Sequence, residues 1–120
     1  MILGRVRQHS PLVRLSLPSL EGPRTTEFAV DTGFEGELAI PERLIRRLDV
    51  TFEEERSVLM ASGREEVCSV YSLTLEWQDD ERAVEVMALP GNPLLGMMLL
   101  DESHLHVEGA EGGEVMIEPL

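Results

Sequence analysis

The chain has 120 residues, of which 42% are hydrophobic and 28% charged, and its formal net charge is −13. This length predicts one domain over residues 1–120, and the composition excludes disordered and collagen-like chains. The negative charge, with ten scattered arginines and no lysine, predicts that the protein binds neither nucleic acid nor an anionic membrane surface.

Alternation of apolar and polar residues dominates the first half of the chain and predicts β-strands. Residues 13–17 alternate Val, Leu and Leu with Arg and Ser, which is typical of a half-buried strand. The predicted strands are 2–8, 13–17, 25–30 and 36–40. Apolar residues at helical spacing over 41–48 predict one clear helix, with Pro41 at its first position.

The second half of the chain continues the strand pattern. The predicted strands are 52–61, 65–77, 83–89, 105–108 and 114–118. Residues 97–102 are expected to form one or two helical turns. About nine strands with one or two short helices predict a compact all-β barrel or sandwich.

Cysteine usage and apolar runs bear on the compartment. Cys68 is the only cysteine, so no intrachain disulfide can form, and we interpret it as a small buried hydrophobic residue. Arg5, Arg7 and Arg14 interrupt the N-terminal apolar residues, which predicts no secretory signal. The longest apolar run, 94–100, is too short to cross a bilayer. We therefore expect a soluble, cytoplasmic protein.

One segment contains an ionisable residue in a position that suggests catalysis. A strand of apolar residues ends in Asp31-Thr32-Gly33-Phe34, and a second apolar strand begins at about Gly36. An ordinary β-turn accounts for the Asp, Thr and Gly. It does not account for an ionisable residue set directly between apolar ones, because burying an unpaired carboxylate costs several kcal/mol.

Segment 29–34 resembles the active-site loop of retropepsin-like aspartic proteases. More closely, it resembles the small single-domain prokaryotic group whose motif reads Asp-Thr-Gly-Phe. The turn at 61–63 lies at the distance from the motif at which that family has its flap hairpin. Farther along the chain, Leu94-Leu95-Gly96 resembles the element that passes behind the catalytic loop. The resemblance spans 12–117 and implies a closed retropepsin-like β-barrel with one or two short helices and half an active site per chain.

The resemblance also implies a mechanism and a partner. The chain has one Asp-Thr-Gly motif, so two copies of Asp31, one from each subunit of a homodimer, would activate a water to hydrolyse a peptide bond. Thr32 would hydrogen-bond across the two-fold axis, and Gly33 would let the two loops approach closely. The expected partners are a second copy and a peptide or protein substrate, with no cofactor.

The same resemblance assigns substrate contacts. Phe34 lies beside the motif, and Ala61, Ser62 and Gly63 would form the flap turn that closes over the substrate. Without the Asp31 motif, this turn is equally typical of an ordinary hairpin.

Two departures from the retroviral pattern support a different function. Phe34 replaces a small residue and would narrow or fill the cleft, and Met97 replaces an Arg that ties the active-site loop to the dimer interface. The alternative is a catalytically silent dimeric β-barrel that serves binding or assembly. His104 and His106 share a strand face but have no third ligand at suitable spacing, so we expect no metal site.

Overall fold

The computed structural model describes all 120 residues, and 58% of them lie in strands. Ten strands and one helix follow in chain order. They are β1 (Ile2–Arg7), β2 (Ser10–Leu17), β3 (Arg24–Val30), β4 (Leu38–Ile40), α1 (Glu42–Ile45), β5 (Thr51–Leu59), β6 (Glu65–Trp77), β7 (Asp80–Ala88), β8 (Leu94–Leu95), β9 (Ser103–Val107) and β10 (Glu114–Pro119). The all-β prediction is confirmed.

Two tight turns set the register of the long hairpins. Gln8 and His9 join β1 to β2 with φ angles of 50° and 66°. Gln78 and Asp79 join β6 to β7 with φ angles of 52° and 71°. Two consecutive positive φ angles are the signature of a type I′ turn, whose twist matches that of the flanking strands.

All ten strands form one sheet, in the order β5-β6-β7-β4-β8-β3-β2-β1-β10-β9. The prediction of a closed barrel is wrong, because the sheet does not close on itself. Strand β5 pairs only with β6 and strand β9 only with β10, so each keeps one unpaired edge. Glu53, Glu54 and Glu55 are exposed on the β5 edge, where charge discourages strand-on-strand aggregation.

The sheet buries a main core of 20 residues, most of them aliphatic. Val13, Leu15 and Leu17 of β2 are buried while Arg14 and Ser16 between them are exposed, as the alternation predicted. The largest fully buried side chains come from strands throughout the sheet and from the turn after β8. They include Phe28, Leu38, Ile40, Leu95, Leu99 and Ile117.

One predicted helix is shorter than expected, and the other is absent. Helix α1 covers only Glu42–Ile45, with Pro41 as its cap, because Leu48 leaves the helix to form a β-bridge with Ser19. Residues 97–102 form hydrogen-bonded turns and no helix, because only Leu100 makes a bond of the helical i→i−4 type, to the Gly96 carbonyl. The chain contains no helix with the length and apolar character needed to cross a bilayer.

Candidate functional site

The Asp31 loop, which we define as residues 31–37, connects β3 to β4, two strands that are not neighbours in the sheet. Strand β8 lies between them, parallel to β3 and antiparallel to β4. Asp31 donates its backbone N–H to the Leu95 carbonyl at 2.9 Å, and Gly96 donates to the Glu37 carbonyl at 2.9 Å. Residues 94–96 therefore bind both ends of the loop and lie between the two strands that it connects.

Gly96 lets the backbone of this element lie directly against the loop. A Cβ atom at residue 96 would lie 2.3 Å from the Gly36 carbonyl oxygen and 2.6 Å from the Phe34 carbonyl oxygen. Both atoms belong to the backbone and cannot turn away, so only glycine fits. Met97 then donates its N–H to the Phe34 carbonyl at 2.8 Å, which completes the support of the loop from behind.

The Asp31 side chain is held by its own loop. Its Oδ1 atom accepts a hydrogen bond of 2.8 Å from the Gly33 N–H, and its carbonyl accepts one of 3.1 Å from the Phe34 N–H. Asp31 is half-buried, whereas Thr32 and Gly33 are exposed. The loop therefore presents one oriented carboxylate at the surface of the chain, with its neighbours in the motif free to contact another molecule.

Phe34 connects the loop to the hairpin formed by β5 and β6. Its half-buried ring packs against a small cluster of Cys68, Val70 and Met87 that is separate from the main core. The ring also lies over Gly36, where a Cβ atom would be 2.6 Å from its Cζ atom. Phe34 thus fills space beneath the hairpin and ties the loop to it.

The tip of this hairpin carries the other predicted site residues. Ala61, Ser62 and Gly63 are all exposed, and Gly63 has a φ of +85° that suits glycine. Met60 donates its N–H to the Arg64 carbonyl at 2.8 Å across the base of the turn. No hydrogen bond joins the tip to the Asp31 loop.

An ion cluster fixes the hairpin to the rest of the sheet. Arg56 of β5 reaches across β6 and donates hydrogen bonds of 2.7 and 3.0 Å to Glu85 of β7. A further bond of 2.8 Å goes to Glu54. Both carboxylates raise the pKa of Arg56 above its ordinary value, and Glu85 contributes more than Glu54.

Glu37 is a site residue that sequence reasoning missed. It is the only buried charged side chain, and its Oε1 accepts the Glu85 N–H at 3.0 Å while its Oε2 accepts a bond of 2.6 Å from Arg82. Through these bonds β7 holds the end of the Asp31 loop. No local signal marks Glu37, because a Glu at the start of a strand is ordinarily solvated and its cation lies far away in sequence.

No family model, no curated protein and no solved structure matches the chain. The functional argument therefore depends on the geometry of the chain itself. That geometry is a fixed surface carboxylate at Asp31, supported from behind by residues 94–97 and joined through Phe34 to a hairpin with an exposed tip.

Proposed function

We propose that the chain is a homodimeric aspartic endopeptidase with a retropepsin-like arrangement, in which Asp31 is the catalytic residue. One observation carries the proposal. The Asp31 carboxylate accepts the Gly33 N–H at 2.8 Å in a loop that β8 supports from behind, yet it stays open to the surface. A turn that served only to reverse the chain would not need such support.

One chain supplies half of the chemistry. An aspartic protease needs two carboxylates that share one proton around a water, and no other aspartate lies in an Asp-Thr-Gly context. A second copy related by a two-fold axis would supply the second Asp31. Met97 and Met98, which follow the element behind the loop, are 47% and 54% exposed and give this face an apolar area that a partner copy would cover.

Each step of the reaction then uses groups of the two chains. The ionised Asp31 takes a proton from the water, whose oxygen attacks the carbonyl carbon of the peptide bond. The protonated Asp31 of the other copy donates its proton to the carbonyl oxygen. When the tetrahedral intermediate collapses, the Asp31 that took the water's proton delivers it to the amide nitrogen and the C–N bond breaks. The Asp31 of the other copy takes a proton back from a hydroxyl of the diol as the C=O bond forms again. The exposed tip at 61–63 would close over the substrate and exclude water.

The experiment compares the wild-type protein with Asp31→Asn on an unstructured protein substrate. Asn keeps the shape of Asp but takes no proton, so proteolysis is expected to fall to background while the fold is retained. A peptide isostere with a tetrahedral carbinol should inhibit the wild type. Asp49→Asn, at an exposed aspartate outside the motif, is the matched control and should keep full activity. Equal activity in Asp31→Asn would contradict the proposal.

The alternative function is a dimeric binding or assembly module without turnover. The packing of Phe34 into the cluster beneath the hairpin favours it, because the ring occupies space next to the motif. Both functions require a dimer, so sedimentation should give about twice the 13.4 kDa of the chain. A stable dimer that cleaves no substrate would favour the module. The lone buried thiol of Cys68 suits a reducing compartment, and we assign either form to the cytoplasm.

A further inference from the structure

The two free edges of the sheet differ in how well they are protected from pairing with another strand. The β5 edge carries Glu53, Glu54 and Glu55, and its register with β6 shifts between Phe52 and Glu54 as at a β-bulge. Charged side chains and bulges both keep an edge strand from pairing with another chain. Strand β9 reads Ser-His-Leu-His-Val, which contains no proline and no residue with a formal charge at pH 7, and its register with β10 is unbroken. In a chain with a net charge of −13, the β9 edge is therefore the one that another strand can approach.

The backbone of β9 presents unpaired hydrogen-bonding groups at this edge. Glu108, the residue after β9, donates its N–H to the Glu114 carbonyl of β10 at 2.9 Å. Because residues of an antiparallel strand bond alternately to one side and to the other, every second residue back from Glu108 bonds to β10. The residues between them, Leu105 and Val107, therefore point their N–H and C=O groups away from β10, at the free edge.

The sequence of β9 is nearly symmetric about Leu105. His104 and His106 flank this residue, and Ser103 and Val107 form the ends of the strand. Antiparallel pairing of two copies about a two-fold axis at Leu105 would therefore place His104 opposite His106 of the second copy. A contact that uses the same surface on both chains is the kind that closes a symmetric dimer. This symmetry favours a second copy over an unrelated peptide as the partner of β9.

We propose that β9 pairs antiparallel with β9 of a second copy of this chain, centred on Leu105. The two Leu105 residues would exchange N–H···O bonds, and each Val107 N–H would donate to the Ser103 carbonyl of the other copy. The Ser103 N–H is already used, since it donates to the Leu100 carbonyl at 2.9 Å. Leu105 is half-buried and packs against the main core, so the second Leu105 would extend the apolar rim of that core.

Charge and backbone geometry limit the length of this pairing. The same register would bring Glu108 toward Glu102 of the second copy, and like charges directly opposite each other are destabilising. Glu102 has a φ of 63°, at which the chain leaves the strand direction. At the same end of β9, Gln78 donates a hydrogen bond of 2.8 Å to the Ser103 hydroxyl and holds the strand in place. The pairing therefore ends at Ser103 and Val107.

The pairing also names a contact for the dimer that the proposed function requires. The turns over 97–102 join β9 directly to the element behind the Asp31 loop. Met97 and Met98, whose exposed side chains we assign to the dimer, lie in these turns. That one dimer covers both regions rests on the proposed function, whereas the β9 pairing itself does not.

The test is disulfide cross-linking in a Cys68→Ala background, which removes the native thiol. In Leu105→Cys the two new thiols would face each other across the axis, where the Cα atoms of a hydrogen-bonded antiparallel pair are about 5.5 Å apart. This separation suits a disulfide, so oxidation should give mainly a covalent dimer of twice 13.4 kDa. Ser103→Cys is the matched control, because its two copies would be about 14 Å apart along the strands. It should not cross-link alone, but a mixture with Val107→Cys should.

Sedimentation equilibrium of variants without new thiols measures the strength of the pairing. Val107→Pro removes an N–H at the free edge, where a strand tolerates proline, and should raise the Kd of the dimer about tenfold because the bond is lost twice. Glu108→Arg should lower the Kd about threefold, because it replaces repulsion from Glu102 by attraction. Glu21→Arg, at an exposed residue in another turn, makes the same change in net charge and should leave the Kd unchanged.

The outcomes separate this proposal from the proposed function. Cross-linking of Ser103→Cys alone as efficient as that of Leu105→Cys would overturn the β9 pairing, as would a Kd that responds to neither Val107→Pro nor Glu108→Arg. Covalent dimers of Leu105→Cys with no proteolysis by the wild type would keep the pairing and reject the protease. Proteolysis by the wild type with no cross-linking at residue 105 would keep the protease and reject the pairing.

Discussion

Arg82 donates a hydrogen bond of 2.6 Å to the buried carboxylate of Glu37, although 45 positions separate the two residues in the chain. Glu37 also accepts the backbone N–H of Glu85, and its own carbonyl accepts the N–H of Gly96. One residue therefore joins β7, the end of the Asp31 loop and the element behind that loop. The pair therefore anchors the loop to β7.

Arg82→Met is expected to destabilise the protein. It leaves Glu37 buried without its cation, and since Arg82 is itself 39% exposed, the expected loss is about 1–2 kcal/mol. Urea denaturation measures the change, with Arg43→Met on helix α1 as an exposed control. Replacing both partners, with Glu37→Leu added, should recover part of the loss, because no unpaired charge then stays buried. An unchanged midpoint for Arg82→Met would show that the pair contributes nothing.

Gly96→Ala adds only one methyl group, but it should displace the Asp31 loop and lower the free energy of unfolding. The new Cβ atom would lie 2.3 Å from a backbone oxygen of Gly36, so the element and the loop must move apart. We expect a loss of about 2 kcal/mol, typical of overpacking. Gly109→Ala is the control, because a Cβ atom there meets nothing within 4 Å. Equal stability of the two variants would show that the loop tolerates displacement.

Much of the fold could be predicted because burial follows local alternation. The pattern over 13–17 placed three apolar side chains in the core. Strand β8 was not among the predicted strands, because two residues are too few to show an alternation. Closure of the sheet could not be predicted in this way. It depends on whether β5 and β9 meet, and no local pattern encodes the pairing of two edges so far apart in the chain.

The same difference between local patterns and long-range pairing applies to the candidate site. The Asp31 motif is a contiguous segment, so the sequence alone identified it. The partners of Glu37 come from another strand, and their pairing needs a register that the sequence does not supply. Arg5, Arg7 and Arg14 looked scattered, yet alternate positions in two strands joined by the turn at 8–9 place them on one face. That signal was present in the spacing.

Cys68 should react slowly with iodoacetamide in the folded protein. Burial raises the pKa of its thiol, an effect that nearby Arg56 opposes and that Glu55 and Glu85 reinforce. A raised pKa lowers the thiolate fraction at pH 8, so alkylation should be about tenfold slower than in urea, where the thiol is exposed. Mass spectrometry follows the modified fraction. Equal rates in the two solvents would show that the cluster beneath the hairpin opens readily.

Proteolysis, which rests on the proposed function, should be fastest in mildly acidic solution and fade above neutrality. Two carboxylates that act on one water must hold one proton between them, and alkaline solution removes it. The net charge of −13 also makes the two copies repel each other more strongly as carboxylates ionise. Initial rates across a pH series measure the combined effect. Sedimentation at the lowest and highest pH shows whether the dimer has dissociated, which separates its loss from loss of the shared proton. A rate that still rises at pH 9 would indicate another mechanism.

A tethered dimer tests whether two copies of Asp31 serve one water. Two chains are joined by a flexible linker, and Asp31→Asn is placed in one copy only. One substitution should then cost nearly as much activity as two, since groups that act as a unit are not additive. Asp49→Asn in one copy is the matched control and should leave the rate unchanged. Retention of about half the activity by the singly substituted dimer would mean that each chain carries a complete site, and the shared-water mechanism would be wrong.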